Sequence, residues 1–254
     1  MVHSLSYMDT QGDTQTTIDK LFSIGAHFGY APSRRHPSTA PFIFGSKGGS
    51  EIFDLEKTAA NLERALEFVK KLASERKTIL FVGGKAEARV ALKRAAERIN
   101  QPYVASRWIG GSLTNFQEIK KRLARLSEIT DMHESGEIAK YTKHERLLMD
   151  REAADLETMF GGLRGMARVP DALCIVDPKQ EAAAVAEARQ LKLPIIALLN
   201  SDCDSSHITY PVPCNDASQQ VITYILDEVS KAYADNLGAE KPAVEAAPAP
   251  AVAA

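Results

Sequence analysis

Two periods of hydrophobic positions divide the chain into strands and helices. Continuous apolar runs at Thr78–Val82, Asp171–Asp177 and Pro194–Leu199 predict strands that are buried on both faces of a sheet. Between them, apolar residues recur at spacings of three and four, which is the period of an α-helix. Strands that alternate with helices pair in parallel through right-handed crossovers, so we expect an α/β body with a doubly wound, three-layer αβα architecture. The predicted helices span about 54–76, 86–99, 180–191 and 217–233, and shorter strands are expected at 103–105 and 209–212.

Two segments interrupt this alternation. Pro41–Gly45 and Glu51–Leu55 predict short strands joined by a turn, which we expect to form a hairpin added to the main sheet. Farther along, Leu113–Leu126 and Met149–Phe160 place apolar residues at a helical period, and Thr142–Glu145 fits a capping box at the start of the second helix. Two long helices joined by a short polar link predict an antiparallel helical hairpin that projects from the body as an arm.

The stretch before the first of these long helices combines unusual residues. Arg107 precedes Trp108, the only tryptophan of the chain, and Gly110 with Gly111 allows a tight turn. Ser112 is the expected N-cap of the helix that follows. Two interpretations stay open at this point. Either Trp108 is a buried residue that caps the core, or Arg107, at the carboxyl end of a strand, faces a ligand or an anionic partner.

Charge is distributed unevenly along the chain, although the net charge is only −2. Between Tyr30 and Arg125 there are 19 Lys and Arg residues against 9 Asp and Glu residues, and the rest of the chain is acidic. A basic first half beside an acidic second half predicts one face that receives a polyanion. The alternative is that these cations lie on solvated helix faces that never form one surface.

Length and composition set the remaining bounds. The 254 residues fit one large domain or two small ones. The polar N-terminal residues lack the apolar segment of a secretory signal, and no apolar run approaches the length of a membrane helix. Three cysteines are too few for a disulfide framework, so we expect reduced thiols in a cytoplasmic protein. Beyond Gly238, Ala, Pro and Glu dominate the composition, which predicts a disordered tail.

Signals for catalytic chemistry are weak. Gly83–Ala86 resembles a phosphate-binding loop only superficially, because it lacks the longer glycine spacing and the Ser or Thr that would bind magnesium. Cys203, His207 and Cys214 match no common zinc module, and no serine elbow or justified pair of His and acid occurs. The sequence therefore predicts no catalytic residue, no metal site and no cofactor.

Six short motifs stand in an order and at a spacing that resemble one family. They are HFG at His27, PFIFG at Pro41, DLEKT at Asp54, ILFVG at Ile79, RWIGGSLTN at Arg107 and PDALCIVD at Pro170. From about Thr17 to Tyr233 the chain thus resembles the bacterial protein two of the small ribosomal subunit, the uS-two family. The most specific element is RWIGGSLTN followed by a helical hairpin. The chain departs from the family pattern at Tyr30, after HFG, and at Gly84, after ILFVG.

The resemblance implies a flavodoxin-like αβα body with a coiled-coil arm, in a component of the small ribosomal subunit without catalytic activity. It implies binding to ribosomal RNA between the head and the body of the small ribosomal subunit. It also implies binding to neighbouring ribosomal proteins that include the large messenger-binding protein one. We expect no membrane partner. The expected division of the chain is a flexible lead at 1–16, a body at 17–112 and 161–237, an inserted helical hairpin at 113–160, and a disordered tail at 238–254.

Contacts to RNA phosphates need Lys and Arg side chains on an exposed surface. We therefore expect the RNA-binding residues among the cations of the first half, with Trp108, Gly110 and Gly111 shaping the structural turn. Two other functions stay open. One is a flavodoxin-like enzyme or small-molecule sensor that uses the loops at Gly83, Trp108 and Asn200, and the other is a scaffold whose helical hairpin engages another protein. The candidate RNA-binding residues are Arg34, Arg35, Lys47, Lys85, Arg89, Lys93, Arg94, Arg107, Lys120, Lys121 and Arg125.

Overall fold

A computed structural model describes residues 15–237 of the chain. The expected tail at 238–254 and most of the expected lead at 1–16 lie outside the described residues. The last two residues of that lead, 15 and 16, are helical, because helix α1 includes residues 15–23.

The body is built on a five-stranded parallel sheet. Its strands are β3 (Ile79–Val82), β4 (Tyr103–Val104), β5 (Ala172–Val176), β6 (Ile195–Leu199) and β7 (Tyr210–Pro213). They lie in the order β4-β3-β5-β6-β7, and every neighbouring pair is parallel. Counted from β3, this is the order 2-1-3-4-5 of flavodoxin-like sheets. All residues of β3, β5 and β6 are buried, so the apolar runs of the sequence are confirmed as central strands.

Helices cover both faces of the sheet, which gives the body two hydrophobic cores. The residues of each strand alternate between the two cores, as the period of a strand requires: Ile79 and Phe81 lie in the first, Leu80 and Val82 in the second. Residues of α2, α3 and α7 fill the first core, and residues of α4, α5 and α6 fill the second. These helices span Leu55–Ser74 (α2), Ala86–Arg98 (α3), Phe116–Glu134 (α4), Lys143–Phe160 (α5), Ala182–Gln190 (α6) and Gln219–Asp235 (α7).

The early hairpin is a separate sheet, and its expected addition to the main sheet is wrong. Strands β1 (Ile43–Lys47) and β2 (Ser50–Phe53) pair with each other, and with no other strand of residues 15–237, in a two-stranded antiparallel sheet. A single bridge between Phe28 and Ile52 extends it. Strand β2 ends at Phe53 because the Asp54 side chain accepts hydrogen bonds from the first N–H groups of α2.

Helices α4 and α5 pack against each other. Leu126 and Ile129 of α4 and Leu156 of α5 are buried. The capping box between Thr142 and Glu145 is present at the start of α5, as the sequence predicts. The expected N-cap at Ser112 is wrong. Its hydroxyl is buried and donates to the Ile109 carbonyl at 2.6 Å, and α4 begins three residues beyond the expected position.

Candidate nucleic-acid interface

The loops that follow the parallel strands lie together at the carboxyl ends of these strands. We call this end of the sheet the carboxyl edge. An early loop of the chain, residues 30–39, is bound to this edge. The Tyr30 N–H donates to the Asn200 side chain at 3.2 Å, beyond the end of β6. The His36 N–H and the Thr39 hydroxyl each donate to the Ser201 carbonyl at 2.8 Å. Candidate cations from the early loop and from the loops after β3 and β4 therefore come to the same edge.

Lys85 lies at this edge in a buried ion-pair cluster. Its Nζ is 3.3 Å from Asp177 Oδ2 and 3.1 Å from Asp216 Oδ2, and Asp216 is fully buried. Burial alone would lower the pKa of Lys85, but the two carboxylates raise it above its usual value. Burial raises the pKa of Asp216 to about 6, although hydrogen bonding to Asn200 and the charge of Lys85 act in the opposite direction. The charge of Lys85 is thus neutralised inside the protein.

This cluster occupies the place where doubly wound sheets bind ligands. In such folds the ligand crevice lies where the strand order reverses, which here is between β3 and β5. Lys85 follows β3 and Asp177 follows β5, so their ion pair lies where this crevice would be. The Gly84 N–H, which a phosphate loop would offer to its ligand, donates instead to buried Glu181 at 2.9 Å. The geometry therefore gives the phosphate-loop interpretation no free donor at this position.

The other loops considered for a small molecule are also packed. Gly83, Trp108 and Asn200 are all buried. An open cavity of about 370 Å³ lies nearby, lined by residues that include His36, Lys179 and other side chains of the α6 region.

Cys203, His207 and Cys214 do not form a zinc site. Both cysteines are buried, whereas His207 is exposed. Among residues 15–237, the three residues of ligand type whose donor atoms lie within 4.8 Å of one another are instead Asp177, Cys203 and Asp216. Burial raises the pKa of the Cys203 thiol, which keeps it protonated. Since Lys85 already supplies a positive charge to both carboxylates, these residues fit a bound metal ion poorly.

The turn after β4 buries its tryptophan, as the first interpretation of its sequence predicts, and leaves the arginine before it exposed. Trp108 is buried, with 7% of its surface exposed, while the preceding Arg107 is exposed. Within residues 15–237, Arg107 makes no side-chain hydrogen bond or ion pair. Gly111 has a φ of +89°, a conformation that favours glycine, whereas nothing lies within 4 Å of a Cβ added at Gly110. The turn therefore requires only the second glycine of the pair.

A carboxylate of helix α6 holds this turn in place. Glu187 accepts hydrogen bonds from the Trp108 indole at 3.0 Å and from the Gly111 N–H at 2.8 Å through Oε1. Through Oε2 it accepts from the Leu113 N–H at 3.0 Å and from the N–H and hydroxyl of Thr114 at 3.1 and 3.2 Å. Burial would raise the pKa of Glu187, but these hydrogen bonds lower it below its usual value.

Sequence reasoning missed Glu187, because 73 or more residues separate it from its partners. Nothing in the local sequence of α6 marks it as a partner of the turn.

Several candidate cations are paired with acidic side chains. Lys85 and Arg35 contact buried carboxylates, the latter at 3.2 Å from Glu51. Arg125 bonds to Glu128 and to both oxygens of Glu152. These pairs leave less positive charge for an RNA phosphate. The remaining paired cations are Lys93 with Glu97, Arg94 with Asp227 and Lys121 with Glu118.

Five candidate cations keep an uncompensated charge on the surface that the structure describes. Arg34 lies 5.7 Å from the Tyr30 ring centre, and Lys120 lies 5.3 Å from that of Phe116. The Arg89 guanidinium donates to the neutral Gly84 carbonyl at 3.1 Å. Lys47 and Arg107 are exposed, as is Arg122 on α4, which was not among the candidates. Of the five, Arg34, Arg89 and Arg107 lie at the carboxyl edge.

Comparisons with known proteins point to one family. The model of the protein family described as "Ribosomal protein S2" matches residues 21–236 of the chain. The "Small ribosomal subunit protein uS2" of Mycolicibacterium vanbaalenii is 41% identical over 237 residues, which cover 91% of this chain and 87% of that protein. The proteins of the same name from Mycolicibacterium gilvum and Mycobacteroides abscessus are 41% and 40% identical, and each alignment covers 88% of this chain and 80% of the relative. In residues 15–237, no helix is long and apolar enough to cross a membrane.

Proposed function

The chain belongs to the ribosomal protein S2 family, whose members are structural proteins of the ribosome rather than enzymes, and we propose that it binds ribosomal RNA in the small subunit. In this role it supports translation in the bacterial cytoplasm without making or breaking a bond. It binds ribosomal RNA between the head and the body of the small ribosomal subunit. There it also contacts neighbouring ribosomal proteins, including the large messenger-binding protein one.

The exposed cations at the carboxyl edge are the observation that carries this proposal. Arg34, Arg89 and Arg107 come from three separate segments and lie at one edge of the body without a carboxylate partner. Phosphate contacts of this kind position a protein on RNA without a compact sequence motif. Lys47 on the early hairpin and Lys120 on the first turns of α4 are also exposed and have no carboxylate partner among residues 15–237.

The six paired cations take a secondary part in the proposal. Lys85 and Arg35 hold buried carboxylates, so they stabilise the loops that carry the exposed cations. Lys93, Arg94 and Lys121 lie on the surface in single ion pairs, which contribute little to stability in water and can be exchanged for a phosphate. Arg125 bonds to two carboxylates and belongs to the contact between α4 and α5.

We also propose the division of the chain that the sequence predicts. Residues 17–112 and 161–237 form the flavodoxin-like body, and residues 113–160 form an inserted antiparallel hairpin. The buried side chains shared by α4 and α5 support this division. The first part of the hairpin also belongs to the body, because Phe116 and Ile119 lie in the second core. Leu126 and Leu156 also lie in that core, so only the part of the hairpin after Leu126 and before Leu156 serves as a projecting coiled-coil arm.

The test compares two exposed cations at opposite ends of the body. Arg107→Gln should weaken binding of the full chain to purified small-subunit ribosomal RNA about three- to tenfold. It should also reduce the slope of log K against log salt by about 0.7 to 0.9, as expected for one lost phosphate contact.

Lys70→Gln is the matched control. Lys70 is exposed near the carboxyl end of α2, which leads into the amino end of β3. It therefore lies at the opposite end of the sheet from Arg107, and the same change of charge there should leave RNA binding unchanged. Equal effects of the two variants would show that the RNA responds only to net charge. A wild-type chain without salt-dependent RNA binding would contradict the proposed function itself.

A further inference from the structure

The carboxylate of Glu187 connects helix α6 to the turn that carries Arg107. It accepts five hydrogen bonds from residues 108–114, at distances between 2.8 and 3.2 Å. We propose that Glu187 is a positioning residue of the RNA interface, which fixes this turn so that Arg107 meets a phosphate. The inference rests on the proposed function and assigns a role in it to a residue that does not touch RNA.

Arg107 lies between two anchored neighbours. The Ser106 hydroxyl donates to the Thr158 carbonyl at the end of α5 at 2.9 Å. On the other side, the Trp108 ring lies in the second core and its indole N–H donates to Glu187. The backbone at Arg107 is thereby held in place while its side chain is exposed. A cation on a fixed backbone loses less conformational freedom on binding than one on a mobile loop.

Glu187 also fixes the start of α4. Asn115 precedes this helix and makes no side-chain capping hydrogen bond. The N–H groups of Leu113 and Thr114, immediately before it, donate to Glu187 instead. Because α4 continues directly from this turn, the same carboxylate sets the position of Lys120 on the first turns of the helix. One anionic side chain therefore orients two of the exposed cations.

The negative charge of Glu187 makes it possible to distinguish a positioning role from a purely electrostatic effect on RNA binding. Glu187 is an anion near a surface proposed to bind another anion. If only net charge mattered, replacing it by neutral Gln would strengthen RNA binding. Positioning predicts the opposite result, since a Gln side chain has one acceptor oxygen and cannot hold both groups of donors.

The experiment measures two properties of the full-length Glu187→Gln variant. Trp108 is the only tryptophan, so its fluorescence in the free protein reports the turn directly. We expect a shifted emission and an affinity for purified small-subunit ribosomal RNA that is about three- to tenfold weaker than wild type. In a background of Arg107→Gln, the Glu187→Gln change should weaken binding by a clearly smaller factor, because the cation it positions is gone.

Glu118→Gln is the matched control. It makes the same change of charge on the exposed first turn of α4, where the Glu118 carboxylate pairs with Lys121 and with no other cation of residues 15–237. We expect unchanged Trp108 emission and RNA binding that is equal to or slightly tighter than wild type. If Glu187→Gln also binds RNA as tightly as wild type or more tightly, the positioning role is wrong.

A milder variant keeps the test decisive if Glu187→Gln fails to fold. Trp108→Phe keeps a smaller aromatic ring in the core and the charge of Glu187, but it removes the indole N–H, which is one of the five donors. A weaker affinity for RNA, at unchanged circular dichroism, supports positioning, and an unchanged affinity overturns it. Absence of RNA binding by the wild type would instead remove the proposed function, while the fluorescence shift of Glu187→Gln would still be measurable.

Discussion

Lys85 and Arg107 occupy equivalent places after neighbouring parallel strands, yet they have opposite environments. Lys85 follows β3 and lies between two carboxylates, with 13% of its side chain exposed. Arg107 follows β4 and is exposed, with no acidic partner among residues 15–237. The two loops touch each other, since a Cβ added at Gly84 would lie 2.8 Å from the Ser106 carbonyl oxygen.

The difference comes from what lies on each side of the two strands. β3 is an inner strand, and β5 beside it delivers Asp177 to the same edge. β4 is the edge strand, and the nearby carboxylate of Glu187 is already occupied by the turn itself. A cation at the end of a strand therefore stabilises the fold or remains available to a partner according to the acids that neighbouring strands bring to it.

The largest expected effect tests the buried side of this comparison. Lys85→Met should lower the free energy of unfolding by about 3–5 kcal/mol, because it leaves buried Asp216 without its positive partner. Arg107→Met should change it by less than about 0.5 kcal/mol, as for exposed residues without specific contacts. Urea unfolding of both variants measures the difference. Similar values for the two would mean that the Lys85 cluster does not hold the sheet edge together.

A second prediction concerns pH, because the two clusters respond with opposite signs. The folded-state pKa of Asp216 is raised to about 6, so its contribution to stability is complete at low pH and is lost as pH rises through about 6. The pKa of Glu187 is lowered, so its contribution is complete above the pKa of the unfolded chain and is lost as pH falls through the folded-state value.

The measurement is urea unfolding between pH 3 and 8 for wild type, Asp216→Asn and Glu187→Gln. Wild type should lose up to about 3 kcal/mol relative to Asp216→Asn as the pH rises from about 4 to about 6. The difference in free energy of unfolding between wild type and Glu187→Gln should instead shrink as the pH falls below about 4.5, the ordinary pKa of Glu. If the free energy of unfolding changed with pH in the same way for all three proteins, the raised pKa of Asp216 and the lowered pKa of Glu187 would both be contradicted.

The smallest effect tests the contact between the two loops. Gly84→Ala places a Cβ at 2.8 Å from the Ser106 carbonyl oxygen and 2.9 Å from the Glu181 carboxylate, so we expect a loss of about 1–3 kcal/mol in the free energy of unfolding. Gly110→Ala is the control in the neighbouring loop, where a Cβ meets nothing within 4 Å and stability should stay within about 0.5 kcal/mol. Thermal unfolding compares the pair. Equal melting temperatures would contradict the close packing of the loops.

Local patterns predicted most of the elements, because apolar period and capping chemistry act within a few residues. The runs at β3, β5 and β6 predicted buried strands, and the Thr142–Glu145 box predicted the start of α5. The start of α4 was placed too early, because the N–H groups of Leu113 and Thr114 donate to Glu187 rather than to Ser112, and the helix begins only at Phe116. The early hairpin was assigned to the wrong sheet, because strand propensity does not specify a partner strand.

The sequence by itself determined the alternation of strands and helices, the family motifs and the excess of cations in the first half of the chain. Only the tertiary structure decided which of those cations remain available. Lys85 and Arg35 meet buried carboxylates that are far from them in sequence, whereas Arg34, Arg89 and Arg107 do not. The physical reason is that the charge a surface presents depends on opposite charges within a few ångströms, and sheet topology sets those neighbours.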